Sequence, residues 1–147
     1  MGLEGFATAR YYSAVRKIIG NDWGFIKRQK RPPRDPVNSL LSLGYTVLFY
    51  NIYTMVRKHG LHPYAGLLHA RRQRHPSLVS DLVEEFRSPV VDAVVLHMIT
   101  GGSIKGTGFV IDDNEVYACH LSDETRRVFL RAIETKMNSP VMHPSTG

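Results

Sequence analysis

Apolar residues recur at three- and four-residue steps along most of this chain, which is the spacing of amphipathic helices. The longest such run, Val37 to Lys58, follows Asp35 and Pro36, which suit a helix N-cap and a first helical turn. The same spacing predicts a first helix over Gly2 to Ile19 and a last helix that starts after Ser122. We therefore predict a mainly α fold, built as a helical bundle.

Shorter apolar segments fill the middle of the chain. They predict a short helix from His62 to His69 and another that opens at Pro76-Ser77. Because proline disrupts a helix interior, Ser88-Pro89 predicts a break before a new apolar helix from Val90 to Thr100. The predicted inward faces are Leu3, Phe6, Ala7, Tyr11, Ala14, Val15 and Ile18 in the first helix, Leu78, Leu82 and Phe86 after Pro76, and Val128, Phe129, Ile133 and Met137 in the last helix.

The pattern changes after the glycines that follow Thr100. Two short apolar runs, Phe109 to Ile111 and Val116 to Tyr117, flank the polar segment Asp112 to Asn114. Short runs of this kind around a polar turn are typical of paired strands. We predict one short β-hairpin near residues 108–118 beside the helical bundle.

The composition agrees with a single domain. The chain has 147 residues, of which 43% are hydrophobic, enough to form a core. Its one cysteine, Cys119, excludes a disulfide framework or a cysteine-based zinc site within the chain. The first ten residues lack the apolar core of a signal peptide, and the run Val90 to Ile99 falls short of the ~20 residues that span a bilayer. We expect a cytoplasmic protein with no membrane partner.

Positive charge is concentrated in the first half of the sequence. Residues 1–74 contain 13 of the 19 basic residues and 3 of the 13 acidic ones, a net charge of +10, whereas residues 75–147 carry a net charge of −4. A one-sided basic region is typical of proteins that bind the phosphate backbone of nucleic acids. A solvated basic surface would have the same composition, so both interpretations stay open on charge alone.

A pair of carboxylates in the acidic half has the spacing of a metal site. Asp81 and Glu84 are three residues apart on one predicted helix, so they share a face, and Glu85 can join them. Neighbouring carboxylates repel unless a cation or a proton lies between them. A solvated acidic face is the commoner outcome of such spacing. His69, which precedes the pair, offers a nitrogen ligand, although a histidine beside leucines is more often structural.

Glu4 is a further candidate, because it is one of few acids in the basic half. An acid near a helix N-terminus is also favoured by the helix dipole alone, and spacing does not join Glu4 to the distant His69. Two or three carboxylates with one imidazole suit Mg²⁺ or Mn²⁺ better than Zn²⁺. Such cations commonly assist phosphodiester chemistry.

Five stretches in order resemble the catalytic domain of the CRISPR-associated integrase, the adaptation enzyme that inserts new spacers into a CRISPR array. No single stretch is decisive, but together they cover nearly the whole chain. They are GLEGFATARYY (Gly2 to Tyr12), RDPVNSLLSLGYTVLFYN (Arg34 to Asn51), GLHPYAGLLH (Gly60 to His69), PSLVSDLVEEFR with SPVVDAVVLHMI (Pro76 to Ile99), and IKGTGFVIDDNEVYACHLSDETRRVFLRAIE (Ile104 to Glu134).

The resemblance implies a metal held by Glu4, His69 and Glu84, with Asp81 as an assisting acid and Mg²⁺ or Mn²⁺ as the cofactor. In the implied reaction, the 3′-hydroxyl of a short duplex attacks a phosphodiester at the edge of a repeat. Arg10, Asn38 and Tyr64 would order the site or touch DNA. The residues expected to contact DNA phosphates are Lys27, Arg28, Lys30, Arg31, Arg34, Arg71, Arg72 and Arg74.

The same resemblance implies partners and a domain organisation. The partners would be double-stranded DNA, as prespacer and CRISPR repeat, and a small second adaptation protein. Because insertion of two ends requires two active sites, we expect a homo-oligomer, a dimer or a tetramer. The family usually carries an N-terminal β-rich domain and one more C-terminal helix. Residues 1–147 would then form a single helical catalytic domain, as a compact integrase or as a fragment.

Three alternatives remain at this point. A covalent recombinase could use Tyr11 or Tyr12 with Arg10, and it would work in the presence of EDTA. A transposon-borne relative could use the same site to insert transposon ends. The chain could also be a non-catalytic basic DNA-binding module whose acids only solvate one face.

Overall fold

The computed structural model describes residues 2–68, 75–112 and 118–140, with the backbone alone at Leu3 and Glu4. It confirms a mainly α fold with one short hairpin. The elements in chain order are α1 (Leu3–Ile19), α2 (Pro36–Lys58), α3 (Ser77–Phe86), a π-helical segment (Arg87–Asp92), α4 (Ala93–Thr100), a 3₁₀ turn (Gly106–Gly108), β1 (Phe109–Asp112), β2 (Ala118–Leu121) and α5 (Asp123–Asn138).

Helix α2 is the centre of the fold, because α3, the π-helical segment, α4, α5 and β2 all pack against it. It begins as predicted, with the Asp35 carboxylate accepting a hydrogen bond from the Asn38 amide at 2.8 Å. Among the described residues, α2 is also the one helix long and apolar enough to cross a membrane. Its buried side chains include Val37, Leu40 and Leu41, which belong to the central hydrophobic cluster.

The helix that starts at Ser77 does not break at Ser88-Pro89, so this prediction was wrong. The chain instead continues through one wider turn, in which the Ala93 amide donates to the Ser88 carbonyl, five residues back. Proline has no amide hydrogen, and in an α-helix its ring clashes with the carbonyl four residues back. A π-helical turn accommodates such an insertion without ending the helix.

The predicted short helix from His62 to His69 is also wrong over its described part, because residues 61–68 form turns and bends. The amide of Gly66 donates to the Ser77 hydroxyl, and those of Leu67 and Leu68 donate to the Asp81 carboxylate. Side chains on α3 therefore take the hydrogen bonds that a helix would have formed within the segment.

Two predicted core faces are shifted around their helices. Helix α1 buries Tyr12, Val15 and Ile19, and leaves Phe6 and Ile18 more than half exposed. Helix α3 buries Val79 and Val83, whereas Phe86 is 47% exposed. Both helices carry two adjacent apolar stripes, and spacing alone does not decide which one packs inward.

The predicted face of α5 is confirmed except at one position. Phe129 and Ile133 are fully buried and Met137 packs against the core, whereas Val128 is exposed.

The hairpin pairs β1 with β2 in antiparallel register, with Phe109 opposite Leu121 and Asp112 opposite Ala118. The predicted second strand, Val116 to Tyr117, lies outside the described residues. Buried Cys119 fixes the hairpin to the bundle: its amide donates to the Pro33 carbonyl at 2.8 Å, and its carbonyl accepts from the Ser39 hydroxyl.

Helix α2 approaches the π-helical segment so closely that position 44 has no room for a side chain. A Cβ at Gly44 would lie 2.4 Å from Cγ1 of Val91 and 3.2 Å from the Phe129 ring. Val91 and Phe129 are fully buried, so neither can move aside without disturbing the core.

We predict that Gly44→Ala lowers the free energy of unfolding by up to about 2 kcal/mol. Overpacking costs ~1–3 kcal/mol and outweighs the ~1 kcal/mol that alanine gains in helix propensity. Urea denaturation measures the change, and exposed Thr46→Ala on the same helix serves as the control. A Gly44→Ala chain more stable than the parent would contradict the close packing.

Candidate active site

Two side chains of α3 hold the loop that leads to His69. The Ser77 hydroxyl donates to the Tyr64 carbonyl at 2.8 Å and accepts from the Gly66 amide at 3.1 Å. One turn further along α3, Oδ2 of Asp81 accepts from the amides of Leu67 at 2.6 Å and Leu68 at 3.1 Å. Asp81 thus brings the residue before His69 against the acidic face of α3.

Glu84 lies one helical turn beyond Asp81, with 51% of its side chain exposed. Its two carboxylate oxygens accept from the same nitrogen, Nη1 of Arg87, at 2.7 and 2.8 Å. A carboxylate offers about four lone-pair positions, so this contact leaves sites for a further ligand. Oxygen donors of this kind suit Mg²⁺ and Mn²⁺.

Arg87 is itself held by aromatic residues of two other helices. Its guanidinium lies over the Tyr45 ring, 4.5 Å from the ring centre, and its Nη2 donates to the Tyr12 hydroxyl at 3.4 Å. The Tyr12 and Tyr45 hydroxyls lie 3.0 Å apart. Sequence reasoning missed Arg87 and Tyr45, although the three-residue spacing from Glu84 to Arg87 is that of a helical ion pair.

A buried carboxylate, Asp92, lies beneath this cluster with 5% exposure. It accepts hydrogen bonds from the Tyr11 hydroxyl at 2.5 Å and from the Tyr45 hydroxyl. Burial, with the hydrogen bond to Asp92, raises the pKa of Tyr11 to about 12. Asp92 and Ser88 both engage the Tyr11 hydroxyl, and Tyr12 is buried, so neither hydroxyl is free to contact a phosphate. The geometry therefore disfavours the tyrosine recombinase alternative.

Of the other two predicted ligands, Glu4 and His69, the structure describes only the Glu4 backbone. The Glu4 backbone lies in the first turn of α1, seven residues and about two helical turns before Tyr11. Its side chain and His69 lie outside the described residues, and within the described part of the chain no three acids, histidines or cysteines form a group suited to a metal. The set Glu4, His69 and Glu84 therefore stays a prediction, with Asp81 as a loop anchor beside it.

The basic loop before α2 is ordered by Asn38, which is fully buried. Its Oδ1 accepts from the Gln29 amide and from Nη1 of Arg28, both at 2.8 Å, and its Nδ2 donates to the Lys27 carbonyl at 2.9 Å. Of the two roles predicted for Asn38, ordering the site fits, and contact with DNA does not, because no part of it reaches the surface.

Arg28 is also engaged within the fold. Its Nη2 donates to the Ser42 hydroxyl at 3.0 Å, and its guanidinium lies 5.4 Å from the centre of the Tyr45 ring. Burial lowers the pKa of this guanidinium from its ordinary value. The other predicted DNA contacts of this loop are exposed: Lys27, Lys30, Arg31 and Arg34.

An open groove of about 290 Å³ separates this loop from α1. Thr8, Ser13 and Arg16 of α1 line it, with Lys27 on the opposite side. It reaches Gly5, the neighbour of Glu4, so the groove connects the basic loop with the helix end that carries Glu4. Sequence reasoning did not include Arg16, because only the fold brings it beside the loop.

The other predicted residues have varied positions. Arg10 is exposed and its guanidinium lies 5.7 Å from the centre of the Phe6 ring. Tyr64 is exposed, and its ring centre lies 5.7 Å from that of His62 in a tilted arrangement, in the loop that Ser77 anchors. Arg71, Arg72 and Arg74 lie outside the described residues.

Comparison with known proteins agrees with the resemblance. The family model described as CRISPR associated protein Cas1 matches residues 1–135. CRISPR-associated endonuclease Cas1 1 of Thermus thermophilus is 41% identical over 143 residues, which are 97% of this chain and 44% of the relative. CRISPR-associated endonuclease Cas1 of Clostridium perfringens is 36% identical over 146 residues, 97% of this chain and 43% of the relative. The chain thus spans less than half the length of these relatives.

Solved structures with the same fold include a casposase bound to an integration product, with a TM-score of 0.85 and 25% identity over 96% of this chain and 40% of that one. A CAS1 protein from Thermotoga maritima has a TM-score of 0.81 and 29% identity, covering 90% of this chain and 42% of that one. A Cas6-RT-Cas1–Cas2 complex has a TM-score of 0.84 and 30% identity, covering 99% of this chain and 16% of that one.

The family model covers most of the chain, and the fold, the sequence identity and the order of the motifs all agree with it. This chain belongs to the Cas1 family of CRISPR-associated proteins.

Proposed function

We propose that this chain carries the catalytic site of a metal-dependent DNA integrase and endonuclease of CRISPR adaptation. The observation that carries the proposal is the anchoring of Leu67 and Leu68 by Asp81, which brings the loop before His69 to the helix that bears Glu84. The relatives are named endonucleases, and a casposase with this fold is bound to an integration product. These names support phosphodiester chemistry at the proposed site of this chain.

In this proposal Glu4, His69 and Glu84 hold one or two Mg²⁺ or Mn²⁺ ions, and Asp81 braces the site. The cation, when bound, polarises the target phosphate and lowers the pKa of the attacking 3′-hydroxyl. The 3′-hydroxyl of the prespacer would release its proton to solvent as its oxygen forms the new bond to phosphorus. The bond from phosphorus to the 3′-oxygen of the target strand breaks, and that oxygen takes up a proton. No protein nucleophile is needed, which fits the engagement of the Tyr11 hydroxyl by Asp92.

The basic side chains would hold the DNA during this exchange. Lys27, Lys30, Arg31 and Arg34 lie exposed on a loop that Asn38 orders. The groove between this loop and α1 leads to Gly5, beside Glu4, so a strand that follows it would reach the proposed metal site. Arg16 is added to the predicted contacts because it lines this groove. The proposal keeps the phosphate contacts predicted for Arg71, Arg72 and Arg74.

The proposed setting is a prokaryotic cytoplasm, where the chain would act as a homo-oligomer on double-stranded DNA. Insertion of both prespacer ends requires two active sites. The fold is similar to part of a Cas6-RT-Cas1–Cas2 complex, which supports a small second adaptation protein as a partner.

A second candidate function is insertion of transposon ends, which the likeness to a casposase favours. The same residues and the same bond exchange would serve both functions. The family model and the more similar relatives carry CRISPR-associated names, so we prefer the CRISPR substrate. Strand transfer measured in parallel with a repeat-bearing plasmid and with a plasmid that carries a transposon target distinguishes the two functions.

We predict that the chain joins a short 3′-hydroxyl duplex to a supercoiled, repeat-bearing plasmid in Mn²⁺ and not in EDTA. Glu4→Ala, His69→Ala and Glu84→Ala should each reduce the rate by on the order of 100-fold or more, because a catalytic cation supplies several kcal/mol. Glu134→Ala, which removes an exposed acid of α5, is the control. Full activity in all three variants, or in EDTA, would end the proposal, and DNA binding without strand transfer would favour the non-catalytic module.

We also predict that Asp81→Ala loosens the loop before His69. Each amide loses a hydrogen bond to a charged group, worth about 1.5–3 kcal/mol, so exchange at Leu67 and Leu68 should accelerate by roughly 10-fold or more. Hydrogen–deuterium exchange followed by NMR measures this, with Glu85→Ala as the control. Unchanged exchange at both amides would show that Asp81 does not anchor the loop.

A further inference from the structure

The contact between Glu84 and Arg87 differs from an ordinary surface ion pair. Arg126 and Asp123 on α5 have the same three-residue spacing, but their atoms are 3.3 Å apart and their side chains are 51% and 82% exposed. Arg87 is only 23% exposed, and its Nη1 reaches both oxygens of Glu84. Exposed pairs such as Arg126 with Asp123 contribute little to stability, because solvent screens their charges and both side chains lose conformational freedom.

The Arg87 guanidinium is fixed by groups other than Glu84. The Tyr45 ring supports its face, and the Tyr12 hydroxyl accepts from Nη2. Tyr45 is in turn fixed by its hydrogen bond to buried Asp92. A continuous series of contacts therefore runs from a buried carboxylate through Tyr45 and Arg87 to an exposed carboxylate.

This arrangement holds the Glu84 carboxylate in place before any ligand arrives. An exposed glutamate otherwise samples many rotamers, and ordering it costs up to roughly 2 kcal/mol. Because one nitrogen contacts both oxygens, lone pairs on the outer side of the carboxylate stay available to a cation. Groups that hydrogen-bond to a metal ligand orient it, and their loss typically costs about 10- to 100-fold in metal affinity.

We propose that Arg87 is a positioning residue, which holds the Glu84 carboxylate ready for the metal through its own contacts with Tyr45 and Tyr12. The inference rests on the proposed function, since it assumes that Glu84 is a metal ligand. It assigns the conformation of that ligand to contacts made by α1 and α2. Removal of Arg87 should weaken metal binding, although it also removes a positive charge that would repel the cation.

Mn²⁺ affinity tests this directly, measured from the electron paramagnetic resonance signal of free Mn²⁺ with the 147-residue chain and no DNA. Arg87→Gln should raise the dissociation constant by about 10- to 100-fold. Arg126→Gln, which removes the matched pair on α5, should leave it unchanged. Arg87→Lys should give an intermediate value, because an ammonium can contact Glu84 but cannot also cover the Tyr45 ring and reach Tyr12.

A comparison in the Glu84→Gln background separates positioning from a general structural effect. If Arg87 acts through Glu84, adding Arg87→Gln to Glu84→Gln should change the dissociation constant less than about threefold, since coupled residues are not additive. Circular dichroism verifies that each variant is folded. If Arg87→Gln misfolds, Arg87→Lys carries the test in both backgrounds.

The outcomes are distinct. Unchanged or tighter Mn²⁺ binding by the Arg87 variants, or equal weakening with and without Glu84, overturns the positioning role and leaves the proposed function standing. Absence of Mn²⁺ binding by the parent chain overturns the proposed metal site, and the positioning role with it.

Discussion

The fold depends on the way the buried carboxylate of Asp92 is satisfied. A charged group away from water is costly unless hydrogen bonds compensate it, and here the hydroxyls of Tyr11 and Tyr45 do so. Tyr11 belongs to α1, Tyr45 to α2, and Asp92 ends the π-helical segment that continues α3. The polar contact thus fixes three helices relative to one another at the side of the molecule where Glu84 lies, while Gly44 allows α2 and the π-helical segment to approach closely.

The proposed chemistry uses this rigidity at a surface that is otherwise poorly constrained. Glu84 is exposed, and the loop before His69 has no regular secondary structure. Both are nevertheless held by side chains of α3 and its continuation: Arg87 holds Glu84, and Asp81 and Ser77 hold the loop. Precise placement of ligands by a supporting set of contacts is what metal-assisted phosphoryl transfer requires, since catalysis there consists mainly of positioning and charge stabilisation.

Features with local causes could be predicted from the sequence. Asp35 and Ser122 cap their helices as expected, because an N-cap depends on a side chain and an amide three residues away. Features decided by distant contacts could not. The inward faces of α1 and α3, the uninterrupted helix at Pro89 and the irregular loop after Gly60 depend on neighbours far along the chain. Within the proposed metal site, the three-residue spacing of Asp81 and Glu84 on one helix was enough to predict both acids. Glu4 and His69 are 65 positions apart with no local signal between them, so only the family resemblance joined them.

The proposed metal site joins Glu4 at the start of α1, His69 and Glu84 on the acidic face of α3. Paramagnetic broadening by Mn²⁺ in NMR spectra of the ¹⁵N-labelled chain tests this most directly. We expect substoichiometric Mn²⁺ to broaden the amide signals of Gly5, Leu68 and Glu84 together, while those of Phe129 and Ile133 on α5 stay sharp. Broadening at Glu84 without Gly5 and Leu68, or broadening centred on the acids at the start of α5, would contradict it.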